Sequence, residues 1–218
     1  MTEQDHKWIG YVGPMVVFGL FTSAEGLFPA SLYPVAYAVK IAAVTAALVV
    51  WRETLKDIRP SWSVALPSVV VGLLIAVVWV AIDETVAYPH LGDRIGFDPF
   101  GIQAAVGRLA FLAVRLYGLI LVVPIMEELF WRSFLLRALT SGEYLSVPIG
   151  RFSLSAFGIM VLLSSVAHTE WLVAAIASCV FAWWLRRTGS LFATVVAHAA
   201  ANAALGVYIL TAHDWKYW

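Results

Sequence analysis

Apolar and polar positions alternate along this chain in long blocks rather than residue by residue. Apolar runs fall at about 9–28, 33–51, 64–82, 104–123, 152–167, 171–186 and 190–211, and the fourth continues as a helical pattern to about 139. A bilayer core takes roughly twenty helical residues at 1.5 Å rise each. Backbone groups in hydrocarbon must bond within their own segment, so such runs form helices, and the period-two pattern of a membrane barrel is absent. Proline and glycine mark the breaks. Pro29 and Pro34 bracket the first turn, Pro60 precedes the third run, Pro99 and Gly101 precede the fourth, and Thr188-Gly189-Ser190 separates the last two. The pattern predicts an all-α fold, a polytopic transmembrane bundle of seven to eight helices. The uncertain count comes from Pro124, which would kink or split the long fourth run. No internal repeat or low-complexity tract divides residues 1–218, so a single integral-membrane domain is expected.

Composition strengthens this picture. Of 218 residues, 61% are hydrophobic and only 13% are charged, about half the share of a soluble globular protein. Mean hydropathy is +0.84. Lysine plus arginine and aspartate plus glutamate both number 14, which leaves no basic footprint for nucleic acid. The one cysteine, Cys179, lies in an apolar run and has no partner for an intrachain disulfide. The first apolar run is longer than a signal-peptide core and lacks a clear cleavage site, so it is expected to stay as a membrane helix.

Charge also predicts an orientation. With seven spans and a cytoplasmic N-terminus, the inner segments carry Lys7, Arg52, Lys56, Arg59, Arg132, Arg137, Arg151, Arg186 and Arg187, and the outer ones only Arg94 and Lys216. That is a strong positive-inside bias for a cell-membrane protein. The outer segments also hold Asp83, Glu84, Asp93, Asp98, Glu170 and Asp214. Trp8, Trp51, Trp62, Trp79, Trp183 and Trp184 fall near the expected helix ends, where an aromatic belt would lie.

Few polar residues interrupt the apolar runs: Glu25, Lys40, Arg108, Arg115, Glu127, Glu128, Arg132, His168, His198 and Asn202. An ionised group in hydrocarbon costs about 2.5–3.5 kcal/mol on insertion scales, so these side chains should face protein or a wet cavity. Glu128 and Arg132 stand four residues apart, share a helix face and can pair. Glu127 points about 100° away from Glu128. It is left over beside a second carboxylate, which suits a general base. His198 and Asn202, also four apart, sit among alanines that let another helix come close. His168 ends the fifth run, where a histidine alone would read as a cap. Lys40 should have a structural partner, while Glu25, Arg108 and Arg115 are placed to snorkel. Helix rise puts Glu127, His168, His198 and Asn202 at roughly 12–24 Å from the inner surface. A carboxylate, two imidazoles and an amide from three helices would then meet near mid-membrane, as the parts of an acid–base hydrolytic site.

These residues resemble the CPBP family, the CAAX proteases and bacteriocin-processing (Abi) enzymes. The family's EExxxR reads here as Glu127-Glu128-Leu-Phe-Trp-Arg132, its FxxxH as Ser164-Ser-Val-Ala-His168, and its HxxxN as His198-Ala-Ala-Ala-Asn202. The likeness spans about residues 104–211, and the chain as a whole resembles the exosortase-associated CAAX-protease-related proteins. Ser164 departs from the pattern, which has phenylalanine at a position expected to pack. The resemblance implies an intramembrane glutamate endopeptidase acting on a peptide or lipidated protein in the bilayer. In it Glu127 with His168 activates a water, His198 and Asn202 stabilise the oxyanion, and Glu128 and Arg132 fix the geometry. It implies no cofactor. Glu127, His168 and His198 offer ligand types that zinc also takes, but the metal-free arrangement is the expectation. No HExxH, rhomboid-type GxSx or aspartyl GxGD pattern supports another intramembrane hydrolase. The competing reading is a non-catalytic scaffold, regulator or bacteriocin-immunity protein that keeps the motifs. The sequence does not set the oligomeric state.

Overall fold

The computed structural model describes residues 7–92 and 96–218. The polar start before Lys7 and the outer residues Asp93 and Arg94 lie outside the described residues. The helices are α1 (Lys7–Glu25), α2 (Tyr33–Val50), α3 (Trp62–Thr85), α4 (Ala105–Ala138), α5 (Leu154–Val166), α6 (Trp171–Thr188) and α7 (Leu191–Ala212). Short 3-10 turns occupy several of the connections. Four segments are long and apolar enough to cross a bilayer: Ala30–Val50, Trp62–Thr85, Ala105–Ala138 and Leu191–Ala212. The seven expected spans therefore differ among themselves. α5 has 13 residues, or about 20 Å of rise, which falls short of a core about 30 Å thick.

The punctuation works as its chemistry requires. Pro34 sits in the first turn of α2, where its missing N–H costs nothing. Ser153 and Ser190 cap α5 and α7 by accepting from the N–H groups of Ala156 and Ala193. Gly189 closes α6 in the left-handed region at φ 61°, its N–H returning to the Leu185 carbonyl.

Pro124 neither breaks nor ends α4. The rod runs on through two π turns, Gly118–Val122 and Leu129–Leu135, with the α-helical stretch Val123–Glu128 between them. It is one helix when counted by continuity; the central stretch makes an eighth when counted apart. The Val123 N–H reaches back five residues to the Gly118 carbonyl. Widening the turn just before Pro124 relieves the loss of its N–H and the crowding of its ring. The two glutamates are thus carried by a short segment with a wide turn on either side.

α3 packs most extensively on α7. The contact depends on Gly72, where a Cβ would lie 2.1 Å from the Ala197 carbonyl oxygen and 2.8 Å from the Ala200 methyl. Small residues let the two backbones meet closely, as membrane helices do. Asp57, after α2, accepts from Tyr11, Ser133 and Arg137 and so pins α1 to the C-terminal end of α4. At the far end of α3, Asp83 accepts from Tyr88 and Tyr217 and lies 3.0 Å from His90, which gathers the loop after α3 and the C-terminus.

Glu25 does not snorkel; it forms an ion pair with Lys40, which supplies the partner expected for that lysine. Arg115 stacks over Tyr37 at 4.3 Å and Trp218 at 5.2 Å, and Arg108 lies over Phe100. Ring faces attract these cations, so they are held by aromatic neighbours. The tryptophans divide too. Trp8, Trp62 and Trp183 are exposed, as an aromatic belt needs. Trp51 packs against Gly10 and Gly13, Trp184 donates to Ser68, and Trp79 turns inward to a cavity.

Candidate functional site

The central stretch of α4 buries both glutamates, Glu128 completely and Glu127 at 8% exposure. They do different things. One oxygen of Glu128, Oε1, lies 3.2 Å from Arg132 Nη1 and 3.0 Å from His198 Nδ1. The pairing with Arg132 is the one its spacing suggests, and it survives the π turn between the two residues. A carboxylate accepts, so His198 carries its hydrogen on Nδ1 and keeps Nε2 free. The Arg132 guanidinium also lies over the Phe181 ring at 5.3 Å and donates from Nη2 to Ser178 Oγ at 3.2 Å. Phe181 stacks on His198, ring centres 5.1 Å apart. Glu128 thereby joins two of the three sequence motifs through one buried atom.

Among the described residues, no protein group pairs with the Glu127 carboxylate. It lines a small cavity with a water-accessible volume of about 40 Å³, together with His168, His198, Arg132, Ser164, Ser178, Trp79, Trp131 and Phe181. That space is polar-lined and large enough to admit a water molecule. The walls come from α3, α4, α6, α7 and the end of α5.

His168 stands in the turn just after α5. The last carbonyls of a helix lack partners, and His168 supplies one: its Nδ1 donates to the Ser164 carbonyl at 2.8 Å. The backbone N–H of His168 bonds to the Ser165 carbonyl. The helix-cap role open to a lone histidine is therefore present, and it leaves Nε2 as the free ring nitrogen beside the cavity. Trp79 meets the ring edge to face at 6.2 Å.

Asn202 stands apart from this group. Its Nδ2 donates 2.8 Å to the Leu119 carbonyl in the first π turn of α4, and it is not among the cavity-lining residues. A π turn alters which carbonyls are free to accept, and the amide meets one of them. The structure thus brings Glu127, His168 and His198 to one cavity, and ties Asn202 to α4 one helical turn beyond His198.

Two site residues carry no signal in a list of charged side chains. Ser178 is a lone hydroxyl within the α6 run; it accepts from Arg132 and, at 2.7 Å, from Ser164. Ser164 was expected only to pack, but its hydroxyl bonds Ser178 and its carbonyl holds His168. Apart from Cys179, Ser178 is the only interruption of the apolar stretch between Trp171 and Arg186, and that was the available clue. Among the described residues, no three His, Cys, Asp or Glu side chains converge closely enough to hold a metal ion.

A family comparison bears on this geometry. Residues 109–204 match the family model described as Type II CAAX prenyl endopeptidase Rce1-like. The likeness to that family covers 96 of the 218 residues. That segment holds all three motifs and the cavity-lining residues of α4 to α7, and it leaves α1 to α3 outside. The matched model describes the CAAX protease family at large and does not separate the exosortase-associated subgroup. Neither curated proteins nor solved structures give a match. Four helices of spanning length and the family likeness together mark the chain as a membrane protein.

Proposed function

We propose that the chain is an intramembrane endopeptidase that hydrolyses a peptide bond of a membrane-associated substrate with a water activated by Glu127 and His168. The observation that carries this reading is the placement of an unpartnered carboxylate, Glu127, on a water-sized cavity shared with the two motif histidines. In a hydrocarbon setting such a group needs a reason to stay, and a general base is one.

In this reading the Glu127 carboxylate takes a proton from water, and the resulting hydroxide attacks the scissile carbonyl. His168, its Nδ1 tied to the Ser164 carbonyl, orients the water with Nε2. His198 in its protonated form donates from Nε2 to the oxyanion while Glu128 holds Nδ1. The proton held by Glu127 passes to the leaving amine. No covalent acyl-enzyme and no metal ion are part of this scheme. Asn202 acts at one remove: its bond to Leu119 sets the position of the α7 turn that carries His198. Glu128 and Arg132 hold the rings and helices in register.

The matched family is that of a type II CAAX prenyl endopeptidase, so a prenylated protein C-terminus is the first substrate class to test. Mass spectrometry of membrane peptides in cells carrying the wild-type chain or the Glu127→Gln variant tests the function without assuming a substrate. The wild type should produce C-terminal fragments, or truncated proteins, that the variant lacks. Identical peptide profiles, with both proteins present at equal levels, would favour the scaffold reading.

A further inference from the structure

We infer that Ser178 and Ser164 are positioning residues for His168, linking it to the Arg132–Glu128 pair through a buried hydrogen-bonded chain. The inference deepens the endopeptidase reading and rests on it for its catalytic meaning, but the chain of bonds stands on geometry alone. Ser178 is 2% exposed and Ser164 3%. Arg132 Nη2 donates to Ser178 Oγ at 3.2 Å, and the Ser164 hydroxyl donates to the same oxygen at 2.7 Å. With both acceptor sites taken, the Ser178 proton is left facing Met160 Sδ at 3.5 Å. The Ser164 carbonyl receives the His168 Nδ1–H at 2.8 Å.

Three helices contribute, and each bond has a physical task. α5 is short, and its C-terminal turn carries the ring that faces the cavity. Hydrophobic packing between uniformly apolar helices in lipid is weakly directional, so polar contacts fix their mutual rotation. The Ser164–Ser178 bond joins that last turn to α6. Arg132 joins α6 to α4, beside Glu127. The ring of His168 is then held at one end by its own helix and, through the serines, by the segment that carries the base. The Nδ1 bond also selects the tautomer with Nε2 as acceptor, which is the form that can orient a water. Removing either hydroxyl frees the turn and lets the ring sample its other tautomer.

The test is nitrogen NMR of ¹⁵N-histidine-labelled protein in lipid nanodiscs. The chain has five histidines, and loss of one signal set in His168→Gln assigns the ring. In the wild type, His168 should show a single tautomer protonated at Nδ1. Ser178→Ala should convert that pattern to a mixture of tautomers, and Ser178→Thr should restore it. Ser164→Ala breaks the same bond and serves if Ser178→Ala does not fold. Cleavage of a farnesylated reporter peptide should fall about tenfold or more in kcat with KM unchanged, and the Ser164→Ala/Ser178→Ala pair should cost no more than either change alone. A wild-type His168 pattern in both folded alanine variants would overturn the inference. A shifted pattern in the alanine variants, together with a wild type that cuts neither the reporter nor any membrane peptide found by mass spectrometry, would overturn the endopeptidase reading and leave the positioning role standing.

Discussion

Glu128 Oε1 and His198 Nδ1 lie 3.0 Å apart across the α4–α7 contact, so a buried carboxylate from the first motif sets the ring of the third. The same oxygen binds Arg132 at 3.2 Å. The neighbouring Glu127 has no such tie. Two adjacent residues of identical chemistry should therefore respond oppositely to deletion. Glu128→Ala leaves Arg132 buried without its anion and should cost about 3–5 kcal/mol. Glu127→Ala should change stability by about 1 kcal/mol or less. Unfolding of both variants in the same mixed micelles measures the difference, and equal losses would contradict the assignment.

The α3–α7 contact makes a second prediction. At Gly72 an added methyl meets the Ala197 carbonyl oxygen, a backbone atom that cannot rotate away. Gly72→Ala should destabilise by about 1–3 kcal/mol and displace His198, the next residue along, with loss of cleavage. Gly158→Ala meets nothing within 4 Å and should be neutral or slightly stabilising in its helix. Thermal unfolding of the two variants in one lipid mixture checks the contrast.

Asn202 offers a test of an acceptor left by the π turn. Asn202→Asp keeps the shape but points an acceptor at the Leu119 carbonyl, which only accepts. A loss of about 1–3 kcal/mol is expected, with a lower rate through misplacement of His198. Asn202→Asp with wild-type stability and rate would show that the amide bond to Leu119 has no structural weight.

Orientation is testable through the basic end. The Asp57–Arg137 knot and the Arg186–Phe152 contact hold two residues of the positive-inside set, while Lys216 pairs with Glu84 near the Asp83 cluster. In a Cys179→Ser background, a cysteine at Lys56 should react with an impermeant maleimide only from the cytoplasmic side, and one at Lys216 only from the other. Labelling of both from one side would contradict the proposed topology.

Much of the fold was legible because lipid leaves the backbone few choices. The apolar runs and the Pro29–Pro34 and Thr188–Gly189–Ser190 breaks become helices and turns close to where the pattern places them. Glu127, His168 and His198 were legible because each is a polar residue that hydrocarbon penalises. Other features depend on partners far along the chain. The π turns around Glu127 leave no trace in hydrophobic periodicity. Asn202 finds its carbonyl 83 residues away, and nothing local identifies Leu119 as the free acceptor. Ser164 and Ser178 are hydroxyls cheap enough to bury that composition raises no alarm. Trp79 lies near a helix end, as a belt residue should, but packing against His168 turns it inward.

The most direct test is the cleavage rate of a farnesylated reporter peptide by purified Glu127→Gln protein in nanodiscs, compared with wild type at equal folded concentration. The account predicts a fall of about a thousandfold, in line with removal of a general base, at unchanged stability and with wild-type activity indifferent to chelators. Cleavage by Glu127→Gln at the wild-type rate would contradict it.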